Sequence, residues 1–200
     1  MKKTMLLLGA LLLSGASGYA QESRQDVSIS ATAPIAPEII GNAIQRTSSM
    51  TLGFLASYRY LLTPRSGLEA NYGYQQLTHY SVDSGKFQGG VHVVQSEFSL
   101  AYVYNLNFKR FNPFLEAGPG MMLFTTVNDA GTTVLDAKNT NAIGGLVGAG
   151  VAYELSPSFD IRAEYRGFIV KTPDFGLTTT FNANRYELLS TPAIGIAYHF

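Results

Sequence analysis

Apolar and polar residues alternate along most of the chain beyond residue 25. In the last segment, alternate positions are apolar or aromatic, and the intervening positions are small or polar. Because successive side chains of a β-strand point to opposite sides, this period of two predicts strands with one apolar and one polar face. Helical spacings fit the same windows less well. The pattern recurs in eight segments, near residues 26–34, 49–61, 67–78, 91–105, 111–125, 140–155, 158–170 and 185–200.

The connections between these segments alternate in length. Three of them, at 62–66, 106–110 and 156–157, are short, whereas those at 35–48, 79–90, 126–139 and 171–184 are long and mostly polar. Transmembrane barrels combine short periplasmic turns with longer outer loops, and a tilted strand needs about 9–11 residues to cross a bilayer. The chain is therefore predicted to be all-β, an eight-stranded antiparallel up-and-down transmembrane β-barrel.

Prolines interrupt the alternating pattern in the first and the last of these segments. Pro34 and Pro37 interrupt the first segment, so its end stays open. Pro192 lies inside the last segment, where we expect a bulge or a local break in the ladder, because proline has no N–H to donate.

The first 20 residues have the three parts of a secretory signal peptide. A basic start at Lys2 and Lys3 precedes an apolar run, and small residues follow, with Gly18 and Ala20 at the −3 and −1 positions. The apolar run is too short for a transmembrane helix. We expect residues 1–20 to be removed after Sec-type export, with cleavage near Ala20, and residues 21–200 to form the barrel domain.

Composition narrows the classes of function. Charged residues make up 14% of the chain, against roughly 25% in soluble proteins. Basic and acidic residues balance at 14 each with no basic run, which argues against nucleic-acid binding. The absence of cysteine excludes a thiol nucleophile and a cysteine zinc site.

The charged residues share the polar face of the predicted strands. Eight strands enclose a lumen that side chains just fill, so the bulky aromatic face fits better on the outside and the charges inside. Charges persist in such an interior only when paired or hydrated. We therefore predict an ion-pair network that plugs the lumen, formed by Arg59, Glu69, Glu97, Glu116, Glu154, Arg162, Glu164, Arg166, Arg185 and Glu187.

Aromatic residues gather near the ends of the strands. Tyrosine has an apolar ring and a polar tip, which suits the membrane–water interface. The predicted aromatic belt at the short-turn end comprises Tyr58, Tyr60, Tyr102, Tyr104, Tyr153, Phe159 and Tyr198, and a thinner set (Tyr72, Tyr74, Tyr186) lies toward the long loops. A soluble barrel with its aromatics in the core is the alternative.

Together these features resemble the OmpA/OmpX type of small outer-membrane β-barrel. The resemblance covers the chain from about residue 25 to Phe200 and includes the alternating final segment. It implies that Ile196, Tyr198 and Phe200 form the signal read by the barrel assembly machinery. Since the pattern runs to Phe200, we expect no periplasmic domain after the barrel.

The resemblance implies a cell outer-membrane protein of Gram-negative type, in contact with outer-membrane lipid and lipopolysaccharide. We expect a monomer without catalytic residues, metal or cofactor, which acts structurally or through its outer loops. The alternatives are a narrow ion channel and a lipid A-modifying enzyme. The enzyme alternative depends on His79 and Ser81, a weak pair that resembles lipid A deacylases only in placing a histidine beside a hydroxyl.

Overall fold

The computed structural model describes residues 24–35, 39–40, 45–46, 52–83, 88–128, 133, 136–177 and 184–200. For 39–40, 45–46, 76–83 and 88 it describes the backbone only. The predicted signal peptide lies outside these ranges. No helix in the described part of the chain is long and apolar enough to cross a membrane.

Eight long strands carry the alternating segments of the sequence. They are β1 (Gln25–Thr32), β2 (Gly53–Thr63), β3 (Ser66–Asp83), β4 (Gln88–Asn105), β5 (Phe111–Val127), β6 (Thr140–Ser156), β7 (Phe159–Lys171) and β8 (Tyr186–His199). Two-residue segments at Ile39–Ile40 and Gln45–Arg46 pair with each other between β1 and β2.

The strands close into a barrel. Each strand pairs antiparallel with its neighbour in sequence, and β1 pairs with β8 from Asp26 opposite His199 to Thr32 opposite Ala193. The pairing of β1 with β8 joins the two ends of the sheet, which removes the long exposed edges of an open sheet. The predicted eight-stranded up-and-down barrel is therefore confirmed.

The apolar and polar side chains face the predicted sides of the wall. On β4, Leu100 and Tyr102 face outward with about half of their surface exposed, whereas Glu97 on the same strand is 4% exposed. β1 also turns its polar side chains inward: its buried residues are Asp26, Ser28, Ser30 and Thr32. An apolar exterior around a polar interior is the arrangement of a membrane barrel.

Strand lengths differ from the predicted ones on the long-loop side. β3 and β4 pair as far as Asp83 opposite Gln88, across a register shift between Gln75 and Thr78. Part of the segment expected as a loop at 79–90 is therefore strand, because residues 78–83 pair in order with residues 88–93 beyond the shift. β1 instead ends at Thr32, and β2 begins at Gly53 rather than near residue 49.

Of the bulge or local break expected at Pro192, the structure has no bulge against β7 but a local break in the pairing with β1. Pro192 lies opposite Tyr165 in unbroken register with β7, and its carbonyl oxygen accepts a hydrogen bond of 3.1 Å from the Ala33 N–H. In an antiparallel ladder, the N–H and C=O of a residue face the same neighbouring strand. The nitrogen of Pro192 therefore faces Ala33 but has no N–H to donate, so one bond is missing between the β1–β8 ladder, which ends at Thr32, and the bridge between Ile35 and Ser190.

Candidate functional site: the barrel interior

The interior holds an unusual number of buried charges. Alternation along each strand turns every second side chain inward, so the inward set is fixed once the barrel closes. Among the residues whose side chains the structure describes, three arginines are buried there against seven carboxylates; the arginines are Arg59, Arg162 and Arg166, and the carboxylates are Asp26, Glu69, Glu97, Glu116, Asp160, Glu164 and Glu187.

Four of these residues form an inner cluster near the short-turn end. Arg162 on β7 contacts Asp26 on β1 at 3.0 Å and Glu69 on β3 at 3.2 Å. Arg59 on β2 contacts the same Glu69 oxygen at 2.6 Å. The inner cluster (Asp26, Arg59, Glu69, Arg162) thus joins four strands across the lumen.

A central cluster lies near the middle of β7. Arg166 contacts Glu97 on β4 at 3.0 Å and Glu116 on β5 at 3.1 Å, and Ser99 donates a hydrogen bond of 2.8 Å to Glu97. The central cluster (Glu97, Glu116, Arg166) connects β7 to β4 and β5, two strands that the inner cluster does not reach. Hydrogen bonds between charged groups are stronger than those between neutral groups.

A buried aromatic ring connects the inner cluster to the wall. The ring of Phe114 on β5 lies under the guanidinium carbon of Arg59 at 4.6 Å and that of Arg162 at 5.5 Å. A cation over an aromatic face is attracted electrostatically, and more strongly when desolvated. Gly150 on β6 leaves the room that this ring occupies, because a Cβ there would meet the ring and the Ala163 carbonyl oxygen.

Besides Asp160, the sequence prediction missed two other members of this interior. Asp26 lies on the polar face of β1, and Phe114 shares the inward positions of β5 with Glu116. The period-two pattern contained both signals. Asp26 was missed because the alternation is weak in the first strand. Phe114 was missed because the inward face of its strand was identified by charged residues.

The remaining predicted lumen residues differ in how deeply they are buried. Glu164 and Glu187 are buried, and Glu164 lies between Arg162 and Arg166 along β7. Glu154 is half-buried at the short-turn mouth. The prediction that Arg185 belongs to the lumen network is wrong, because β8 begins one residue later and the Arg185 side chain is exposed at the long-loop end.

The outer half of the lumen contains an apolar layer, which the sequence prediction did not foresee, beside the buried polar side chains of Gln75, Gln95 and Glu187. This apolar layer comprises Val91, Val93, Ala101, Met122, Phe124, Leu146, Phe168, Val170, Phe175 and Leu189. Phe175 comes from the connection after β7 and is fully buried. The Lys138 N–H donates a hydrogen bond of 2.9 Å to the Phe175 carbonyl oxygen, which ties this connection to the one before β6.

The short-turn end has a polar mouth. A cavity of about 260 Å³ opens there between Arg59, Arg162, Asn105, Lys109 and other residues. A second cavity of about 370 Å³ shares Asn112, Asp160 and His199 with it. His199 Nε2 lies 2.9 Å from Asp160 Oδ2, so these two side chains fix the end of β8 against β7.

The predicted belt and terminal signal lie on the outer surface. Tyr58, Tyr60, Tyr102, Tyr104, Tyr153 and Phe159 face outward, and Tyr198 is half-buried. The ring of Tyr198 stacks with Phe200 at 6.1 Å and packs against Phe159 at 5.1 Å. Ile196 also faces outward, so all three residues of the predicted assembly signal are on the lipid side.

The described residues contain no group of three or more histidine or carboxylate side chains that could hold a metal ion. The side chains of His79 and Ser81 lie outside the described residues. The backbone places His79 opposite His92 and Ser81 opposite Gly90 in the β3–β4 ladder.

Several solved structures share this fold. Neisserial surface protein A matches with a TM-score of 0.60 and 16% identity over 89% of this chain and 98% of that one. The outer membrane protein OprG from Pseudomonas aeruginosa gives 0.61 and 13% over 90% and 97%. Ail, the attachment invasion locus protein of Yersinia pestis, in complex with the heparin analogue sucrose octasulfate, gives 0.57 and 15% over 90% and 100%.

Sequence comparison gives a family but no near relative. No protein of curated function matches the chain. The family model described as the outer membrane protein beta-barrel domain matches residues 6–200, which is nearly the whole chain. With an apolar outer surface, a closed eight-stranded wall and this match, the chain belongs to the outer membrane protein beta-barrel domain family.

Proposed function

We propose that this outer-membrane barrel is a closed anchor that presents its long loops outside the cell, with the lumen blocked by ion pairs. The observation that carries the proposal is the position of Arg162, which is 1% exposed and contacts Asp26 and Glu69 on two other strands. In this proposal the short turns face the periplasm and the long connections face outward.

Both the ion-pair clusters and the apolar layer support a closed lumen. The inner and central clusters span the polar half with contacts of 2.6–3.2 Å between strands. The apolar layer lies in the outer half, where Phe168 packs so closely that a Cβ at Gly144 or Gly120 would meet its ring. An ion would have to displace both paired charges and tightly packed rings, and eight strands leave little additional space.

The long-loop end supports the presentation role. The β3–β4 hairpin extends to Asp83 and Gln88, well beyond the level at which β1 and β2 end. A hydrogen bond of 2.7 Å from the Gly90 N–H to Thr133 Oγ1 ties the connection before β6 to this hairpin. Binding residues commonly lie on loops held by a rigid scaffold.

The same proposal includes the partners that the family implies. Outer-membrane lipid and lipopolysaccharide surround the wall, and the barrel assembly machinery reads Ile196, Tyr198 and Phe200. The protein is a monomer exported through a signal peptide that is cleaved near Ala20, and it is not an enzyme. Lipid A from cells that express it is therefore expected to have an unchanged mass spectrum, and loss of an acyl chain would contradict this part.

Planar-bilayer recording tests the closed lumen. The refolded full chain is expected to give no stepwise current in 1 M KCl, because the ion pairs are buried and contact distances are short. A variant with Arg162→Ala, Arg166→Ala and Phe168→Ala, which removes material from both halves, serves as the positive control for detection of an opened lumen. Resolved current steps from the unmodified chain would refute the closed anchor.

One observation favours a second candidate, a narrow cation channel. The described interior buries three arginines against seven carboxylates, so any conducting path would attract cations. If steps appear in the recording, their reversal potential in a KCl gradient is expected to show cation selectivity.

A further inference from the structure

The cavity of about 260 Å³ at the short-turn mouth has a floor of buried ion pairs. Arg59 and Arg162 line it, and they contact Glu69 and Asp26 at 2.6–3.2 Å. Two arginines and two carboxylates make this floor close to neutral. The charge of the cavity therefore depends on the side chains around the floor.

The other carboxylates of the described mouth each have a basic group beside them. Asp160, which lines both cavities, contacts His199 at 2.9 Å. Glu154 lines the second cavity, and its N–H donates a hydrogen bond of 2.9 Å to the Arg110 carbonyl oxygen. Arg110 is thus directly opposite Glu154 on the neighbouring strand.

Three further cations of the mouth have no carboxylate opposite them in the described ladder. The carbonyl oxygens of Arg24 and Arg65 accept hydrogen bonds of 2.7 Å from the N–H groups of Leu61 and Asn105, both of which line the cavity. Alternation therefore places the two arginines on the lumen side of the mouth. Lys109 lines the cavity itself, so the balance of charge there is positive.

Lys109 has a backbone conformation that favours glycine. Phe108 and Phe111 exchange main-chain hydrogen bonds of 3.2 and 2.9 Å, which leaves Lys109 and Arg110 as the central residues of a two-residue turn. The φ of Lys109 is 50°, and glycine is the residue that takes a positive φ without strain at such a position. Strain of this kind is typical of functional sites, which indicates a role for the lysine side chain.

Two asparagines leave amide donors at the same cavity. Oδ1 of Asn105 accepts a hydrogen bond of 3.4 Å from Arg59, and Oδ1 of Asn112 accepts one of 3.2 Å from the Phe108 N–H. Their Nδ2 groups remain to donate, and no acceptor among the described residues contacts them. Asn105 is only 8% exposed, so its amide is a buried donor that lines the cavity without an acceptor.

The size and the donors suit one small anionic group. The cavity is smaller than the roughly 300–1,000 Å³ of pockets that hold drug-sized ligands. A phosphate group has several acceptor oxygens and carries about −1.5 to −2 charge at neutral pH. One ammonium and two amide groups provide matching donors, since both types only donate at these positions.

We propose that the mouth cavity binds the phosphate group of a small soluble phosphomonoester. Lys109 supplies the charge, Nδ2 of Asn105 and of Asn112 donate hydrogen bonds, and Arg24 and Arg65 attract the anion to the mouth. The ligand is held on the turn side of the ion-pair floor, so it does not pass through the barrel. In the orientation of the proposed function this end faces the periplasm, but binding itself does not depend on that orientation.

A phosphate titration followed by nuclear magnetic resonance tests the site. The nitrogen-15-labelled full chain is folded in octyl glucoside, which has no charge and no phosphate, and inorganic phosphate is added near neutral pH at constant ionic strength. The side-chain amide signals of Asn105 and Asn112 are expected to shift to saturation in the millimolar range, whereas that of Gln95, buried in the outer half, stays in place. Without a saturable shift at the two asparagines, the proposal is wrong.

Charge variants separate the cavity from general attraction. Lys109→Gln is expected to weaken phosphate binding roughly fivefold or more, because a hydrogen bond between charged groups is lost. Lys138→Gln removes the same charge from the exposed long-loop end and is expected to leave binding unchanged. Equal weakening in both variants would mean that net charge alone acts, against the proposal.

Lys109→Gly separates the side chain from the turn. Glycine takes a φ of 50° without strain, so this variant is expected to unfold at a higher urea concentration while phosphate binding falls as in Lys109→Gln. The opposite changes in stability and binding would show that the lysine is kept for its ligand. Unchanged binding in the folded glycine variant would overturn the proposal.

Two further ligands identify the chemistry and its source. Acetate, with a single charge, is expected to bind roughly fivefold or more weakly than phosphate, and equal binding would rule out selection of a phosphate group. Phosphatidylglycerol mixed into the micelle is expected to leave both asparagine signals in place; shifts on its addition would assign a lipid headgroup instead. None of these readouts measures conductance, so failure here leaves the closed anchor standing.

Discussion

Arg162 and Glu69 meet across the barrel, with Nη1 of Arg162 3.2 Å from Oε2 of Glu69, although β7 and β3 are not neighbours in the wall. The contact requires a lumen narrow enough for one side chain from each strand to meet in the middle. It links opposite parts of the wall independently of the main-chain ladder.

Loss of Arg162 is expected to destabilise the barrel strongly. Arg162→Met leaves Asp26 without its arginine and removes one of two arginines from Glu69, and breaking a buried ion pair from one side costs about 3–5 kcal/mol. Urea unfolding from lipid vesicles measures the change. Lys171→Met, on the same strand but exposed, is the control and is expected to change stability by about 0.5 kcal/mol or less.

The glycines of β6 give a matched pair of substitutions. A Cβ at Gly150 would lie 2.8 Å from the Ala163 carbonyl oxygen and would also meet the Phe114 ring, whereas a Cβ at Gly145 meets nothing within 4 Å. Gly150→Ala is expected to cost about 1–3 kcal/mol of unfolding free energy, as overpacking of an interior does. Gly145→Ala should be neutral or slightly stabilising in the same assay; a similar loss for both would contradict the packing of Phe114 against β6.

Leu100 tests the lipid-facing surface. It faces outward on β4 opposite Ala70, well inside both ends of the wall. Leu100→Arg is expected to cost about 2–4 kcal/mol, since a charge near the bilayer midplane has no water to solvate it. Leu52→Arg, just before β2 at the long-loop end, is expected to cost about 0–1 kcal/mol. The ratio of folded to unfolded forms on a cold gel, measured across urea concentrations, compares the two.

Phe175 closes the apolar layer, and its removal should act locally. Phe175 is buried with a φ of 52°, so burial of the ring offsets a strained backbone. Phe175→Ala is expected to release the connection after β7 and to speed hydrogen exchange at the Lys138 amide by roughly tenfold or more, with little effect on amides within β7. Faster exchange throughout β7 would show that the ring supports the whole wall instead.

The sequence alone determined the strands and which way their side chains face. Alternation with period two is a property of each strand by itself, so Arg59, Glu69, Arg162 and Glu164 could be assigned to the inside before any strand was paired. The alternating long and short connections determined the antiparallel order. The same local signal failed at Arg185, because it does not show where a strand stops.

The tertiary structure decided which inward residues meet. Arg162 and Asp26 are far apart in sequence and become partners only when β8 closes the wall against β1. Closure and register set the distances across the lumen, and no single strand contains that information. The apolar layer has the same cause. Phe175 enters it from a connection, and the burial of Phe175 depends on side chains that several strands bring around it.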